Sequence, residues 1–323
     1  MKKLSTKLIE ITNILSDLGY HDVDTMGSQL GITRSATLQI VKKLENYGIE
    51  VSFIKGKGYS LKTPLILLNE NYIKQEVANK NIEIFETLAS TNDYLKKLGN
   101  CGQTRICFAE HQSKARGRLN RSWHAPFGQN IYMSYSYPFW KDISELTGLT
   151  LVVSLALVKA LSLINLPEQL LIKWPNDVLY QGEKLLGSLI EVLAESNGVS
   201  YAIIGIGINV NMEDDKNNII TQKWCSLRNI TSDYIDRNLL SVSIINHLTE
   251  YLHKFNKEGF SGFISEWNQV DSLFNKEIKL SSGNEEIVGI GRGVNHSGNL
   301  MIELANGEMR VCSSGDTTII KGV

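Results

Sequence analysis

A glycine-broken run of cations at residues 112–123 constrains this chain more than any other feature. The run follows a strand-like segment, Arg105–Ala109. It carries three arginines: Arg116, Arg118 and Arg121. A guanidinium stays charged at any physiological pH and donates in a planar fork that fits carboxylate and phosphate oxygens. Gly117 lets the backbone approach a ligand closely because it has no Cβ. The run therefore predicts a loop around a polyanion; the alternative is a solvated basic loop, free or in contact with nucleic acid.

A second pattern surrounds two lysines. The string Lys173–Val178 ends a short apolar strand, Leu170–Ile172, and Lys184 begins another apolar segment further on. A turn through Gln181–Glu183 would join the two segments as a hairpin and bring Lys173 and Lys184 to one end. An ammonium there can lie against both a carboxylate and an α-phosphate. The alternative for Lys184 is an edge-strand lysine that discourages aggregation.

The segment Tyr201–Asn211 reads as a β-branched strand interrupted by Gly205 and Gly207. It is not a dinucleotide fingerprint, because the third glycine is missing and no helix follows. Glycines that remove side chains from one face could make room for a flat ligand, with Asn209 supplying a donor and an acceptor. The alternative is a bulged core strand.

Three small polar residues, Ser90, Thr91 and Asn92, begin an amphipathic run. Such residues are ordinary helix caps. As a site, their hydroxyls and amide could satisfy the carbonyl and N–H groups of a compact neutral heterocycle, which needs hydrogen bonds rather than charge.

In order and spacing, these motifs resemble those of the biotin protein ligases, specifically the bifunctional form that also represses the biotin operon. The resemblance extends over essentially the whole chain. It implies two substrates, biotin and ATP, with Lys184 and Arg118 as catalytic residues. The biotin contacts that it implies are Ser90, Thr91, Asn92, Gln112, Arg116, Gly117, Arg118, Lys184, Gly205 and Gly207. The adenylate contacts are Arg118, Arg121, Trp123, Asn176, Lys184, Asn209 and Trp224.

The implied reaction has two steps. The biotin carboxylate attacks the α-phosphate of ATP, with Mg²⁺ on the departing pyrophosphate, and a lysine of a biotin carboxyl carrier protein then attacks the mixed anhydride. Two anions must meet in the first step, so the arginine loop and Lys184 would cancel their repulsion. The loop should then close over the adenylate and exclude water, with Trp123 or Trp224 covering the adenine side. For both tryptophans, packing in the core is the alternative.

One residue departs from the family's usual loop, which carries glycine where this chain has Ala115. If that position needs a positive φ, the loop must take another path or carry roughly 1 kcal/mol of strain. We expect slower or looser ordering of the loop rather than lost chemistry.

The amino-terminal residues predict a winged helix-turn-helix. Leucines and isoleucines recur at helical spacing from Leu4 to Leu18 and stop at Gly19; Gly31 then makes a tight turn and Thr33 caps the next helix. The residues predicted to face DNA are Arg34, Ser35, Gln39, Lys42 and Lys43, with Lys55 and Lys57 in the wing. Residues 1–62 hold nine Lys and Arg against six Asp and Glu, so the positive excess is small. Operator binding is therefore expected to need a homodimer, which the resemblance ties to bound adenylate. The alternative is a winged helix kept only as a protein contact.

The predicted fold class is α+β with three domains. Residues 1–63 form the winged helix-turn-helix; residues 64–270 form a central mixed sheet flanked by helices, like a class II synthetase. Residues 271–323, with short alternating strands and turns at Gly283, Gly298 and Gly307, predict an SH3-like β-barrel. The apolar run at 146–166 contains Lys159 and polar residues, which predicts a buried helix, not a membrane span.

Four cysteines, Cys101, Cys107, Cys225 and Cys312, show no metal-ligand spacing and no secretory signal precedes them. A reduced cytoplasmic protein without structural zinc or membrane association is expected.

Two other functions stay open: a ligand-sensing repressor with an inactive ligase domain, and a lipoate ligase. Lys184, Arg118 and Arg121 favour an active ligase, and the arginine loop and winged helix favour biotin.

Overall fold

The computed structural model describes residues 2–78, 81–99, 102–194, 200–215, 219–283 and 285–320. Its first part contains a short strand, three helices and a hairpin: β1 (Lys2–Lys3), α1 (Thr6–Leu15), α2 (Val23–Leu30), α3 (Arg34–Asn46), β2 (Val51–Ile54) and β3 (Gly58–Leu61). The helices share a buried apolar core that includes Leu8, Ile11, Met26, Val41 and Leu44.

The turn between α2 and α3 follows the sequence prediction. Gly31 has φ 64°, and the Thr33 hydroxyl accepts a hydrogen bond from Ala36 N at 3.2 Å. The predicted end of the first helix was wrong. α1 ends at Leu15, and the left-handed residue after it is Leu18, which is exposed, rather than Gly19.

The central part is one eight-stranded mixed sheet with helices. Its elements are α4 (Glu70–Glu76), β4 (Ile82–Leu88), α5 (Thr91–Leu98), β5 (Arg105–Gln112), β6 (Ile131–Phe139), α6 (Leu149–Leu161), β7 (Leu171–Lys173), β8 (Asp177–Tyr180), β9 (Glu183–Ala194), β10 (Ser200–Ile208), α7 (Leu227–Thr231), α8 (Arg237–Glu258) and α9 (Ile264–Val270). The strand order is β1-β4-β5-β6-β10-β9-β8-β7, in which β4 and β5 are parallel and the other pairs antiparallel. The first strand of the chain, β1, therefore belongs to the central sheet, although the helices that follow it in sequence belong to the amino-terminal part.

The region around the two lysines has three strands, not the predicted two. β7 turns directly into β8, and the predicted turn at Gln181–Gly182 joins β8 to β9. The two lysines still come together, because both reach Asp177 at the start of β8.

Helix α6 lies in the core, where it packs with α8 against the sheet. The stretch Ile143–Leu161 is long and apolar enough to cross a membrane by length and composition alone, but 56% of it is buried inside the protein. Burial of Val152, Leu155 and Ala156 is what a core helix requires, as the sequence predicted.

The last part is a five-stranded antiparallel sheet: β11 (Glu277–Ser282), β12 (Glu285–Val294), β13 (Leu300–Glu303), β14 (Met309–Cys312) and β15 (Asp316–Ile319). Its order is β14-β13-β12-β11-β15, and the predicted turn glycines all have positive φ. The two edge strands, β14 and β15, do not pair within the described residues, so the predicted closed barrel is not observed there. Trp174 anchors this sheet: its indole donates to Gly298 O at 3.1 Å, and its carbonyl accepts from Thr317 at 2.8 Å.

Candidate active site

A cavity of about 580 Å³ opens where the ends of β5, β7 and β10 meet the arginine loop and the start of β15. Every residue that the sequence assigned to biotin or adenylate lines this cavity. They are Ser90, Thr91, Asn92, Gln112, Arg116, Gly117, Arg118, Arg121, Trp123, Asn176, Lys184, Gly205, Gly207, Asn209 and Trp224. Residues of β5, β9 and β10, of α5 and of the loops between elements thus converge on one place. The contact of each residue with a ligand stays a prediction.

One end of the cavity is polar and carries a hydrogen-bonded chain of side chains. Ser90 caps α5 by accepting from Asp93 N at 3.3 Å, and Thr91 N donates to Gln112 Oε1 at 2.7 Å. The Ser134 hydroxyl on β6 lies 2.6 Å from both Thr91 Oγ1 and Asn92 Oδ1. The capping role is therefore real, and it holds the neighbouring polar groups at the cavity wall.

The three arginines of the loop line the cavity but take two directions. Arg116 turns to α5, where its guanidinium donates to both carboxylate oxygens of Asp93, at 2.6 and 2.8 Å. The hydrogen bonds from Arg116 lower the pKa of Asp93, and the same contact raises the pKa of Arg116. The positive charge of Arg116 is thus neutralised within the protein.

Arg118 and Arg121 instead meet the carboxyl-terminal sheet at Asp316. Arg118 Nη1 lies 3.6 Å from Asp316 Oδ1, Arg118 Nη2 donates to Gly315 O at 3.1 Å, and Arg121 pairs with Asp316. A weak bond of 3.4 Å also joins Arg118 to Asn176 Oδ1. These contacts bring the last sheet to the mouth of the cavity.

Lys184 lies deeper, with 17% of its side chain exposed. Its ammonium is 2.8 Å from Asp177 Oδ1 and 5.4 Å from the ring centre of Trp123. Lys173 reaches the other oxygen of Asp177 at 3.6 Å. One carboxylate therefore faces two ammonium groups.

The sequence suggested that the glycines of β10 leave open space on one face of the strand, but that space is filled by side chains. A Cβ at Gly205 would lie 2.5 Å from Asn92 Oδ1, and one at Gly207 would lie 2.6 Å from the Trp123 ring. The glycines make room for these two side chains. The indole nitrogen of Trp123 is buried there, and none of the residues that the structure describes accepts a hydrogen bond from it.

Asn209 also has a different setting from the one expected. Its amide donates to Cys225 O at 3.1 Å and to Lys184 O at 3.4 Å. The backbone at Lys184 pairs with Lys223 and Cys225, which places Trp224 beside it. Asn209 thus fixes the chain that carries Lys184.

The strain expected at Ala115 lies elsewhere in the loop. Ala115 does not have a positive φ, whereas Leu119 and Asn120 have φ of 54° and 55°. Leu119 is also 72% exposed. The left-handed turn of this loop is made by two residues other than glycine, which is energetically costly for leucine.

The sequence reasoning missed five residues as site residues. Asp177 and Asp316 line the cavity, and Asp93, Ser134 and Glu191 lie behind it and hold side chains that do. Four are carboxylates that pair with the predicted cations. Asp177 and Glu191 lie close in sequence to Lys173 and Lys184. A cation that is mostly buried needs a counter-ion, so these carboxylates could have been predicted as its partners.

The surface predicted to meet DNA is largely exposed. Ser35, Gln39, Lys42, Lys55 and Lys57 are exposed, and Arg34 is exposed and paired with Asp24.

Lys43 is the exception, since it pairs with Glu86 of β4, whose side chain is only 2% exposed. Tyr47 Oη donates to the same carboxylate at 2.7 Å and its ring stacks on Phe127 at 4.0 Å. Lys43 thus joins α3 to the central sheet, and this pairing stands against its predicted role in DNA binding.

Within the described residues, no three His, Cys, Asp or Glu side chains form a group that could hold a metal ion. Cys107, Cys225 and Cys312 are free thiols, and Cys101 lies outside the described residues. Burial raises the pKa of Cys225 to about 12, which makes its thiol unreactive.

Comparison with known proteins agrees with this geometry. Residues 84–209 match the biotin/lipoate A/B protein ligase family, and residues 273–317 match the biotin protein ligase C-terminal domain. The bifunctional ligase/repressor BirA of Salmonella typhimurium is 32% identical over 302 residues, which cover 93% of this chain and 94% of that protein. This chain belongs to the biotin protein ligase family. The bifunctional ligase/repressor BirA of Bacillus subtilis is 29% identical over 88% of this chain and 90% of its own length.

A solved biotin protein ligase has the same fold. The enzyme from Aquifex aeolicus, determined in complex with biotin and ATP, is 29% identical, with a TM-score of 0.65 over 76% of this chain and 100% of its own. The central mixed sheet and the carboxyl-terminal sheet are therefore the biotin protein ligase fold.

Proposed function

We propose that this member of the biotin protein ligase family forms biotinyl-5'-AMP from biotin and ATP and transfers biotin to a lysine of a biotin carboxyl carrier protein. The observation that carries the proposal is the charge distribution of the cavity. Its polar end is electrically neutral, because Arg116 is paired, and suits an uncharged ring. At the other end the described residues place four cations, Lys173, Lys184, Arg118 and Arg121, against two carboxylates, Asp177 and Asp316. Among these groups two positive charges are in excess, which suits a carboxylate and a phosphate.

In the first step, the biotin carboxylate forms a bond to the α-phosphorus of ATP and pyrophosphate leaves. Lys184 and Arg118 stabilise the charge that builds on the phosphoryl oxygens, and Arg121 balances the phosphates at the mouth. Because Asp177 already holds Lys184 in place, little reorganisation is needed when substrates arrive.

In the second step, the neutral amine of the carrier lysine attacks the carbonyl carbon of the mixed anhydride. The C–N bond of the amide forms and the bond between the carbonyl carbon and the phosphate oxygen breaks. AMP leaves with the bonding electron pair, and its phosphate takes up the proton that the amine loses. No serine or cysteine nucleophile is required. Arg118 and Asn176 would keep the adenylate oriented while Trp123 and Trp224 cover it.

Magnesium is proposed to enter with ATP as the MgATP substrate. The acidic groups at the cationic end, Asp177 and Asp316, are both paired with lysine or arginine, so the described residues offer it no separate site. No step of the mechanism depends on a protein ligand to the metal.

The proposed ligase activity is tested by mixing the protein with MgATP, an apo carrier domain and either biotin or lipoate, followed by intact mass measurement. A mass increase equal to biotin on one carrier lysine is expected. The same increase with lipoate would identify a lipoate ligase, and no modification with either acid would identify a pure ligand sensor.

We further propose that residues 1–63 are a winged helix-turn-helix that represses biotin-synthesis genes when the adenylate-bound chain is a homodimer. The exposed Gln39 and Lys42 of α3 and the exposed Lys55 and Lys57 of the hairpin support this assignment. Residues 64–270 would be the ligase domain and residues 271–323 an SH3-like domain, in a cytoplasmic protein. DNA selected from a random pool should be retained by the protein with biotin and ATP and lost without them; equal retention would refute the link to the adenylate.

A further inference from the structure

Glu191 on β9 lies between the polar end of the cavity and the arginine loop, and the two proposed steps do not use it. Its side chain is 21% exposed. Oε2 accepts a hydrogen bond from Asn92 Nδ2 at 2.9 Å. Oε1 pairs with Lys96 and lies 3.7 Å from Arg116 Nη2. One carboxylate thus contacts two elements that border the cavity: α5, through Asn92 and Lys96, and the arginine loop, through Arg116.

The contact with Glu191 decides which way the Asn92 amide points. An ionised carboxylate only accepts hydrogen bonds, so it must face the Nδ2 end of the amide. The carbonyl of Leu189, another acceptor, lies 3.3 Å from the same nitrogen. The acceptor Oδ1 is therefore directed to the other side, toward the Ser134 hydroxyl and the space left by Gly205.

Charge at this end is also balanced through Glu191. Two carboxylates, Asp93 and Glu191, face two cations, Arg116 and Lys96. Because no net charge is left over, the nearby polar groups of Thr91 and Asn92 suit an uncharged ligand ring rather than an ion. The arginine loop is fastened at Arg116, while Arg118 and Arg121 stay at the mouth.

We infer that Glu191 is a positioning residue for biotin: it holds the Asn92 carbonyl oxygen toward an N–H of the ligand's ureido ring and fastens the first arginine of the loop. The inference rests on the proposed biotin ligase function. It predicts that Glu191 acts on biotin binding and not on the chemistry of the phosphoryl group.

The test is the steady-state kinetics of biotin ligation by Glu191→Gln. A glutamine can present its own NH₂ to Asn92, which allows the Asn92 amide to turn and removes the acceptor from the cavity. The KM for biotin should rise at least about tenfold, the effect of leaving one buried hydrogen-bonding group unsatisfied. The kcat and the KM for ATP should change less than about twofold, because Lys184 and Arg118 keep their partners.

Lys96→Met is the matched control, since it removes the ion pair but keeps the carboxylate on Asn92. A half-exposed pair contributes little, so its KM for biotin should change by less than about twofold. If Glu191→Gln does not fold, Glu191→Asp keeps the charge but withdraws both oxygens by one methylene, and it should give the same rise in KM.

Three results would overturn the inference: an unchanged KM for biotin in Glu191→Gln, a loss confined to kcat, or an equal rise in KM for Lys96→Met. Failure of the proposed function looks different, because the unmodified protein would then transfer no biotin at all. In that case a direct calorimetric titration with biotin alone still tests Glu191, and equal affinity of both proteins contradicts the inference.

Discussion

Lys184 and Asp177 form an ion pair of 2.8 Å inside the cavity, and the Lys184 side chain is only 17% exposed. A buried ammonium needs such a partner, because an unpaired charge in that position would be strongly destabilising. The pair fixes the cation before any substrate is present, so the ammonium is available to an incoming carboxylate and phosphate without a search among rotamers.

Lys184→Met should therefore abolish most of the first step. The fold should be retained, because Asp177 keeps Lys173 as a partner. We expect adenylate formation to fall at least about 100-fold, the effect of removing one preorganised group at a developing charge. Exchange of labelled pyrophosphate into ATP in the presence of biotin measures this step. Lys279→Met, which breaks an exposed ion pair with Glu286, is the control and should exchange normally.

We also expect Lys184→Met to lose repression, because it no longer forms the adenylate. Intact repression at ordinary biotin levels would contradict that coupling.

Gly207→Ala should destabilise the ligand-free protein. The new methyl group would lie 2.6 Å from the Trp123 ring and 3.0 Å from its nitrogen, so the ring must move. Overpacking of this kind costs about 1–3 kcal/mol, which lowers the thermal midpoint and changes tryptophan fluorescence. At Gly117 the nearest atom to an added Cβ is 3.9 Å away, so Gly117→Ala should leave the midpoint unchanged. Equal midpoints for both variants would show that Trp123 is not packed there.

Arg116→Gln should raise the pKa of Asp93. The hydrogen bonds from Arg116 lower the pKa of Asp93 in the folded protein. The ionised carboxylate therefore stabilises the fold at a pH above its pKa in the unfolded chain, which is about 3.9. The contribution disappears as the pH falls through the lower folded value. An NMR titration of the Asp93 carboxyl carbon should show its midpoint moving toward the ordinary value in Arg116→Gln and staying in place in Arg310→Gln. An unmoved midpoint in Arg116→Gln would mean that the two side chains are not paired in solution.

Lys42 and Lys43 are neighbours with different expected roles. Lys42→Ala should weaken DNA binding and reduce the slope of log affinity against log salt by about one, as for the loss of one phosphate contact. Lys43→Ala should leave that slope unchanged and lower the free energy of unfolding by about 1–3 kcal/mol, because Glu86 stays buried with one partner fewer. Fluorescence anisotropy in a salt series and chemical denaturation separate the two effects. A reduced slope for Lys43→Ala would restore the sequence-based assignment.

The sequence identified the cavity residues well because each motif sits at the end of a strand. Arg118, Asn176, Lys184 and Asn209 all line one cavity, as their order and spacing predicted. What the sequence could not supply was the pairing between distant segments. Asp316 is brought to Arg118 and Arg121 only by the docking of the last sheet on Trp174.

The sequence predicts the individual helices and turns better than the residues at which they begin and end. Periodicity found the core helix α6 and the turn at Gly31, which depend on local patterns. The expectations that the structure does not support depend on tertiary context. Leu18 has the spacing of the apolar residues of α1 but lies beyond the end of that helix. Lys43 is expected on an exposed helix face because the sequence alone does not show that Glu86 of β4 pairs with it.

The most direct test of the whole account is a crystal structure of the protein with biotin and a non-hydrolysable ATP analogue. The account predicts the biotin ring beside Thr91, Asn92 and Gln112, with its carboxylate directed to Lys184 and the α-phosphate near Arg118. Biotin bound away from this cavity, or bound with its ring at Arg118 and its carboxylate at Thr91, would contradict it.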